Sequence, residues 1–341
     1  MALLDLDGVV YVGPDPVAGA PEALAAARAA GMRLAFVTNN AARPPHTVAG
    51  HLTELGIAAK PAEVITSAQA AARYLADHLP GGARILVVGT TGLDEALRER
   101  GLIPVADARG QVDAVVQGFS PEMNWQLLSE GAIALNRGVP WVATNLDPTV
   151  PSPRGRLPGN GSLVAALRHA TGKEPVVTGK PDPAMHRESV LRSAAREPIV
   201  VGDRLDTDIE GAGAVGCPSL LVLSGVTTPS ELLAATPRQR PTYLATDVRG
   251  LLAPHPEIEL ASGAARCGPW RAQAATDGTG SGDMRVTLAR GSDGASDADG
   301  DLDALRALCA AVWADDRPNG EVRVAGESDA AAGVLERLGL T

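Results

Sequence analysis

The sequence is poor in cysteine and in aromatic residues. Its three cysteines, Cys217, Cys267 and Cys309, lie far apart and form no Cys-x-x-Cys pair. This spacing excludes a disulfide framework and a cysteine-based zinc knot, and it fits a reducing, cytoplasmic setting. Aromatic residues make up 3% of the chain. The small residues that replace them suit tightly packed α/β layers.

Basic residues and long apolar runs are also scarce. The chain has 30 Lys and Arg against 40 Asp and Glu, which gives a formal net charge of −10. This balance argues against nucleic acid or an anionic membrane as the main partner, because both select basic patches. No apolar stretch approaches the roughly 20 residues of a membrane span, and the N-terminus lacks the basic residues of a signal peptide. A small anionic substrate would therefore have to be bound by a metal or by a few cationic side chains within its site. The sequence leaves open whether the protein forms a homo-oligomer.

The first eleven residues hold the most informative pattern, a short apolar run followed by two carboxylates and a glycine. Asp5 and Asp7 are two residues apart on a predicted strand, so their side chains share a face and require a cation or a shared proton. Gly8 allows a sharp turn directly afterwards. Alone, Asp-x-Asp-Gly is equally typical of an acidic turn at a strand end. Because four residues precede Asp5, we expect a trimmed first strand, and whether Met1 is the natural start stays open.

The rest of the chain alternates predicted strands and helices, the pattern of a parallel sheet flanked by helices. Residues 1–79 and 178–256 are expected to form one such core. Residues 80–177, which begin at the Pro80-Gly81-Gly82 turn, repeat the α/β pattern as an inserted unit. The composition then changes, and residues 257–341 are predicted to form a small α/β extension with a loosely structured start. Its strongest signal is an amphipathic helix over residues 301–313.

Polar clusters follow the predicted strands of the core. They are Asp5 and Asp7; Thr38, Asn39 and Asn40; Lys180; and Asp203, Asp206 and Asp208. In open α/β sheets, ligands bind outside the carboxyl ends of the strands. The five carboxylates outnumber the one lysine, so such a site requires a metal, and an all-oxygen ligand set suits Mg²⁺ rather than zinc.

In this order, the clusters resemble the four motifs of the haloacid dehalogenase superfamily. The matching segments are Asp5-Leu-Asp7-Gly8, Thr38-Asn39-Asn40, Lys180 and Gly202-Asp203-Arg-Leu-Asp206-Thr-Asp208. The Thr-Asn-Asn segment and the long insertion before Lys180 look like class II-A, the nucleotidase and 4-nitrophenyl-phosphatase type. The resemblance implies an α/β fold with a Rossmann-like parallel core, an inserted α/β cap over residues 80–177 and, for residues 257–341, a truncated acetyltransferase-like extension.

The resemblance also implies catalytic and metal-binding roles. Asp5 would be the nucleophile that becomes an aspartyl-phosphate. Asp7 would protonate the leaving alkoxide and then deprotonate the attacking water, with its backbone carbonyl facing the metal. Asp5 and Asp203 would bind Mg²⁺ directly, and Asp208 would act through bound water. The implied activity is that of a Mg²⁺-dependent phosphomonoesterase.

The remaining implied site residues bind the substrate. Thr38, Asn39 and Asn40 would hold the phosphate, with Lys180 countering its charge and that of Asp5. Asn145 and Asp147, together with the loop over residues 156–161, are candidates for cap contacts to the rest of the substrate, although ordinary loop chemistry explains them equally well.

The substrate implied by the resemblance is a small phosphorylated metabolite, with glycerol 3-phosphate favoured. Another sugar, nucleoside or 4-nitrophenyl phosphate stays open, as does a non-catalytic sensor of a phosphorylated ligand. In the extension, the segment Arg317-Pro-Asn-Gly320-Glu-Val322 fails to complete the glycine loop of a functional acetyltransferase. We therefore predict that the extension does not bind acetyl-CoA.

Overall fold

The computed structural model of the chain describes residues 1–150, 154–261, 263–276, 283–291, 300–314 and 321–341. Strands and helices alternate over most of this length. The first elements are β1 (Ala2–Leu4), β2 (Tyr11–Val12), β3 (Asp15–Pro16), α1 (Ala20–Ala29), β4 (Leu34–Thr38), α2 (Pro45–Glu54), β5 (Val64–Thr66) and α3 (Ser67–His78).

The middle of the chain repeats the alternation. Its elements are β6 (Arg84–Val88), α4 (Thr91–Glu99), β7 (Ile103–Val105), β8 (Ala114–Gln117), α5 (Trp125–Asn136), β9 (Trp141–Ala143), β10 (Thr149–Val150), β11 (Leu157–Pro158), α6 (Asn160–Thr171) and β12 (Val176–Val177). The chain then continues through α7 (Pro183–Ser193), β13 (Ile199–Gly202), a π-helical turn (Leu205–Ile209), α8 (Glu210–Ala214), β14 (Ser219–Val222), α9 (Pro229–Leu233) and β15 (Tyr243–Ala245).

The core sheet has six parallel strands in the order β15-β14-β13-β1-β4-β5. Its central strands are continuously apolar because both faces are covered. Leu4 and Phe36 pack toward α1 and α2 on one face, whereas Leu3 and Val37 pack toward α3 and α7 on the other. This packing places the carboxyl ends of β1, β4 and β13 side by side at one edge.

The middle sheet has five parallel strands in the order β12-β9-β8-β6-β7. One of its faces packs on α5 and α6. The other face packs on α4 and on α3, the helix that also borders the core sheet. Helix α3 is therefore shared between the two sheets.

A buried carboxylate also joins the two sheets. Glu188 of α7 is fully buried and accepts a hydrogen bond from Arg100, just after α4, at 2.8 Å. Arg73 of α3 and Arg192 of α7 donate to the same carboxylate. Three guanidinium groups thus compensate one buried charge, which a buried carboxylate requires.

The C-terminal extension forms a third sheet, in the order β16-β17-β18-β19-β20. Its elements are β16 (Glu259–Ala261), β17 (Ala264–Cys267), β18 (Trp270–Thr276), β19 (Met284–Arg290), α10 (Gly300–Trp313), β20 (Val322–Gly326) and α11 (Asp329–Arg337). The β19–β20 pairing is parallel and the others are antiparallel.

The prediction of a loosely structured start for the extension was wrong over its described residues, because β17 and β18 form regular paired strands there. Their buried positions are largely small residues such as Ala265 and Ala272, which let α10 approach closely but give little strand signal. Helix α10 begins one residue before the predicted range. The segment 317–320 considered for acetyl-CoA lies outside the described residues.

Across the described residues, no helix combines the length and apolar character needed to cross a lipid bilayer.

Candidate active site

Neighbouring strands of the core sheet deliver polar side chains to one edge. Asp5 follows β1, Asn39 follows β4 and Asp203 follows β13. The backbone N–H of Asp5 still donates to the carbonyl of Val201 at 2.8 Å, so the strand pairing extends to Asp5. Ligand binding at the carboxyl ends of parallel strands is the rule for open α/β sheets.

Lys180 lies at the centre of this edge. Its Nζ donates to Asp208 Oδ1 at 2.7 Å and also to Asp5 Oδ1. Burial lowers the pKa of the ammonium group, but the charges of Asp208 and Asp5 raise it by more, so its pKa lies above the ordinary value. Lys180 is therefore a fixed positive charge between two carboxylates.

Three carboxylates converge beside the lysine. Oxygen atoms of Asp5, Asp203 and Asp208 all lie within 4.8 Å of one another. Burial raises the pKa of Asp5, and the neighbouring acids add to this effect against the opposing charge of Lys180. Burial and the charge of Asp208 raise the pKa of Asp203 to about 6. The single ammonium of Lys180 leaves this group short of positive charge.

The Asp203 side chain indicates that the site fits a metal ion. Its Oδ2 accepts the backbone N–H of Val226 at 2.9 Å. Its buried Oδ1 has no hydrogen-bond partner within the part of the chain that the structure describes. A buried carboxylate oxygen needs a partner, and three clustered carboxylates fit a hard cation such as Mg²⁺. The donor set thus fits magnesium.

Two glycines enclose the Asp203 carboxylate. A Cβ atom on Gly225 would lie 2.0 Å from Asp203 Oδ2, and one on Gly8 would lie 2.4 Å from it. Gly8 also has a φ of 82°, which side chains rarely adopt. Gly8 was predicted as a turn residue; its contact with Asp203 is an additional finding.

Sequence reasoning missed the segment that fastens Asp203, residues 224–227, which we call the strap. Thr227 Oγ1 donates to the Asp203 carbonyl at 2.6 Å. Ser224 Oγ donates to the Gly8 carbonyl at 2.7 Å. The strap therefore ties the turn after β1 to the end of β13. Gly225 is its one sequence signal, and a lone glycine after a strand is too common to identify it.

Asp7 occupies a different position from Asp5. It lies outside the group of three carboxylates, and its side chain is exposed. The turn that follows it is closed by a hydrogen bond from Gly8 N–H to the Tyr11 carbonyl at 2.8 Å. Asp7 is therefore open to solvent beside the buried carboxylates.

The Thr38-Asn39-Asn40 segment is held by its own side chains. Thr38 Oγ1 accepts the Asn40 N–H at 3.1 Å, and Asn40 Oδ1 accepts the Ala42 N–H at 2.8 Å. Asn39 Oδ1 accepts the Lys180 N–H at 2.8 Å, and its Nδ2 donates to the Lys180 carbonyl at 3.2 Å. The Asn39 side chain thus fixes the backbone of the central lysine.

The two residues expected to contact substrate from the middle sheet both make contacts to the core. Asn145 is buried, and its Nδ2 donates to the Asn39 carbonyl at 2.8 Å. Asp147 Oδ2 accepts Asn39 Nδ2 at 3.3 Å. Asn160, which belongs to the candidate loop 156–161, donates to the Asn145 carbonyl at 2.8 Å. The amide nitrogen of Asn145 is thus already engaged, whereas Asp147 stays partly exposed.

A cavity of about 980 Å³ opens beside Lys180. Asp147, Arg204 and Asp206 contribute charged groups to its wall near Lys180. The cavity continues along α8 as far as Cys217 and Thr242, and Asp5 and Asp203 do not line it. Arg204 donates to both oxygens of Asp206, at 3.0 and 2.8 Å. The cavity is large enough for a small phosphate ester.

The fold and the acidic strand edge together define a class of hydrolase. Residues 2–103 match the family described as haloacid dehalogenase-like hydrolase, and residues 177–251 match the HAD-hydrolase-like family. Residues 267–340 match the GCN5-related N-acetyltransferase-like domain. The chain belongs to the haloacid dehalogenase-like hydrolases, which confirms the family that the four motifs predicted.

Individual relatives agree with this assignment. The chain is 45% identical over 341 residues to the D-glycerol 3-phosphate phosphatase of Mycobacterium tuberculosis, covering 99% of this chain and 93% of that protein. A crystal structure of a glycerol phosphate phosphatase from the same organism, in complex with magnesium, superposes with a TM-score of 0.84 at 42% identity and covers 100% of this chain and 97% of that one. The acid sugar phosphatase of Staphylococcus aureus is 35% identical over 253 residues, which cover 74% of this chain and 96% of that protein.

Proposed function

We propose that this chain is a Mg²⁺-dependent phosphomonoesterase that hydrolyses glycerol 3-phosphate through an aspartyl-phosphate. The observation that carries the proposal is the group formed by Asp5, Asp203 and Asp208 beside Lys180, with one buried Asp203 oxygen lacking a partner among the described residues. The relatives named as glycerol phosphate phosphatases support the substrate.

The first half of the reaction transfers the phosphoryl group to the enzyme. A carboxylate oxygen of Asp5 attacks phosphorus, and the bond from phosphorus to the glycerol oxygen breaks as the new bond forms. Asp7, beside the site and open to solvent, gives its proton to the leaving alkoxide. Lys180 holds Asp5 in place and offsets negative charge on the phosphoryl oxygens.

The second half returns the enzyme to its starting state. Asp7, now ionised, takes a proton from water as the water oxygen attacks phosphorus. The bond between phosphorus and Asp5 breaks, inorganic phosphate is released, and both aspartates regain their initial forms. Asp5, Asp203, Asp208 and the Asp7 carbonyl would hold Mg²⁺, which when bound neutralises charge between the carboxylates and the phosphate.

Substrate selection is assigned to the middle of the chain. In this proposal, residues 1–79 and 178–256 are the catalytic core, 80–177 the cap and 257–341 the extension. Thr38 and the Asn39 N–H hold the phosphate. Asp147, which accepts a hydrogen bond from Asn39 next to Lys180, contacts the glycerol hydroxyls, since a carboxylate accepts hydrogen bonds from them.

The proposal is tested by measuring phosphate release across a panel of glycerol, sugar and nucleoside monophosphates and 4-nitrophenyl phosphate. We expect the highest kcat/KM with glycerol 3-phosphate, no release with EDTA, and recovery on adding Mg²⁺. Binding without release across the panel would instead support a non-catalytic sensor. Product yields below one phosphate per ester cleaved would indicate transfer to another acceptor.

The proposed cellular compartment and binding partners follow from the cysteines and the substrate class. The cysteines Cys217, Cys267 and Cys309 are free, which supports a reducing, cytoplasmic compartment. The partner is a small phosphorylated metabolite, without nucleic acid. The extension is proposed not to bind acetyl-CoA, and calorimetric binding in the micromolar range would contradict this.

A further inference from the structure

The C-terminal extension shares a hydrophobic core with the catalytic edge. One cluster of buried side chains includes Leu205 and Ile209, which flank the metal-ligand candidate Asp208, and Leu232 and Leu233 of α9. The same cluster includes buried residues of the extension, among them Leu302, Leu305, Leu308 and Leu335. The extension is thus packed directly against elements that carry the site.

Helix α10 presents a stripe to the core sheet, formed by Arg306, Cys309 and Trp313. These positions are three and four residues apart, so they lie on one face of the helix. Arg306 Nη2 donates to the Leu244 carbonyl of β15 at 2.6 Å. The Trp313 carbonyl accepts Arg240 Nη1 at 3.1 Å. Polar bonds therefore fix the helix against the edge of the core sheet.

The elements held by α10 are attached to the two ends of the strap. The residue before the strap, Leu223, donates its N–H to the Ala245 carbonyl at 3.1 Å, one residue beyond the Leu244 that Arg306 binds. The helix after the strap is α9, whose Leu232 lines a small cavity with Cys309. Both ends of the strap are therefore connected to elements that contact α10.

We propose that the extension is a positioning element for the metal ligand Asp203. Helix α10 fixes the two ends of the strap, and Thr227 and Val226 of the strap fix Asp203 through its carbonyl and carboxylate. Arg306 is the positioning residue on the helix side and Thr227 the one on the strap side. This inference rests on the proposed Mg²⁺ site, because it assigns the extension a role in that site's metal affinity.

The test compares the full-length chain with the variants Arg306→Ala, Thr227→Val and their combination. Isothermal titration calorimetry gives the Kd for Mg²⁺ without substrate. We expect each single variant to raise this Kd about tenfold, the lower range for residues that orient metal ligands. The double variant should bind Mg²⁺ about as weakly as the weaker single variant, because both act through one strap. At saturating Mg²⁺, kcat should return to near the wild-type value.

The matched control is Arg337→Ala. Arg337 also belongs to the extension and binds Asp301 of α10 at 2.6 Å, but both side chains are exposed. Its Mg²⁺ Kd should equal that of the wild type. If Arg306→Ala does not fold, as judged by circular dichroism, the milder Cys309→Ala variant replaces it, with an expected rise in Kd of up to about tenfold.

An Mg²⁺ Kd unchanged in the folded Arg306→Ala variant would overturn the inference. A double variant whose fold-change in Mg²⁺ Kd equals the product of the two single-variant fold-changes would also overturn it. These results leave the proposed function standing if the wild type binds Mg²⁺ and releases phosphate. Absence of Mg²⁺ binding by the wild type itself would overturn the proposed function, and the inference with it.

Discussion

The amide nitrogen of Asn145 donates a 2.8 Å hydrogen bond to the carbonyl oxygen of Asn39. Asn145 follows β9 of the middle sheet, and Asn39 follows β4 of the core sheet. The Asn39 side chain in turn binds the backbone of Lys180 on both its N–H and its carbonyl. A displacement of the middle sheet is therefore coupled to the lysine that holds Asp5.

Replacing Asn145 by alanine should affect kcat more than KM. The variant loses two side-chain hydrogen bonds, to the Asn39 carbonyl and from the Asp147 N–H, each of which contributes about 1 kcal/mol to stability. It also loosens the segment that positions Lys180. We expect kcat for phosphate release to fall about tenfold with KM within about twofold. A large rise in KM at constant kcat would show instead that Asn145 contacts the substrate. Asn124→Ala is the control, because Asn124 caps α5 away from the site and its loss also costs about 1 kcal/mol.

Replacing Asp5 by asparagine should abolish turnover while preserving the fold. An amide oxygen is a poor nucleophile, so phosphate release should fall by more than about 10⁴-fold, as for loss of other covalent nucleophiles. Because burial and neighbouring acids destabilise the ionised Asp5, Tm without Mg²⁺ should stay equal or rise. Appreciable residual activity would refute the nucleophile assignment. Asp15→Asn, in the exposed β2–β3 hairpin, should behave as the wild type.

Replacing Gly225 by alanine should displace the Asp203 carboxylate. The new Cβ would lie 2.0 Å from Oδ2, so either the strap or the ligand has to move. We expect Mg²⁺ affinity measured by calorimetry to fall about 100-fold. Gly213→Ala provides the comparison, since its Cβ would meet its nearest heavy atom at 3.8 Å. In helix α8 this change should stabilise the protein by roughly 0.5–1 kcal/mol and leave Mg²⁺ binding unchanged.

Replacing Glu188 by alanine should destabilise the junction between the two parallel sheets. The change leaves Arg73, Arg100 and Arg192 without the buried carboxylate that they surround. Loss of one partner of a buried ion pair costs about 3–5 kcal/mol, which urea denaturation would detect as a lower midpoint. Glu321→Ala, in an exposed pair at the surface of the extension, should change the unfolding free energy by less than about 1 kcal/mol. Equal effects of the two variants would contradict the structural role of Glu188.

The catalytic edge could be predicted from the sequence because its residues follow strands. Asp5, Asn39 and Asp203 each come directly after an apolar run, and parallel strands bring their carboxyl ends together by geometry alone. The acidic excess around Lys180 then required a cation. Predicting this edge required only the local sequence and one rule of sheet topology, without knowledge of side-chain packing.

Other features depend on contacts that sequence patterns do not encode. Glu188 lies on an ordinary helical sequence, and its three arginines come from three separate helical segments. The strap is defined by what Ser224 and Thr227 touch, and both residue types are common in loops. Asn145 lies near the site, and the sequence could not show that its amide donates to the Asn39 carbonyl.

His186 of α7 is a buried histidine beside the site. Its ring packs against Gly211, where a Cβ would lie 2.4 Å from Nε2. Burial, aided by the charge of Lys180, lowers its pKa to about 4 from the model-peptide value of 6.5. The unfolded chain therefore binds more protons than the folded chain between these values, so His186 makes the folded state less stable as pH falls from 6.5 to 4. At about 1.4 kcal/mol per unit, the loss reaches roughly 3 kcal/mol.

The variant His186→Gln removes this titration, so the unfolding free energy should depend less on pH in this range than in the wild type. Between pH 7 and pH 4, the unfolding free energy of the variant minus that of the wild type should increase by roughly 3 kcal/mol. Urea denaturation at half-unit steps of pH measures both curves. His169→Gln, at an exposed position of α6, should follow the wild-type curve. Parallel curves for His186→Gln and the wild type would show that His186 is protonated equally in the folded and unfolded states.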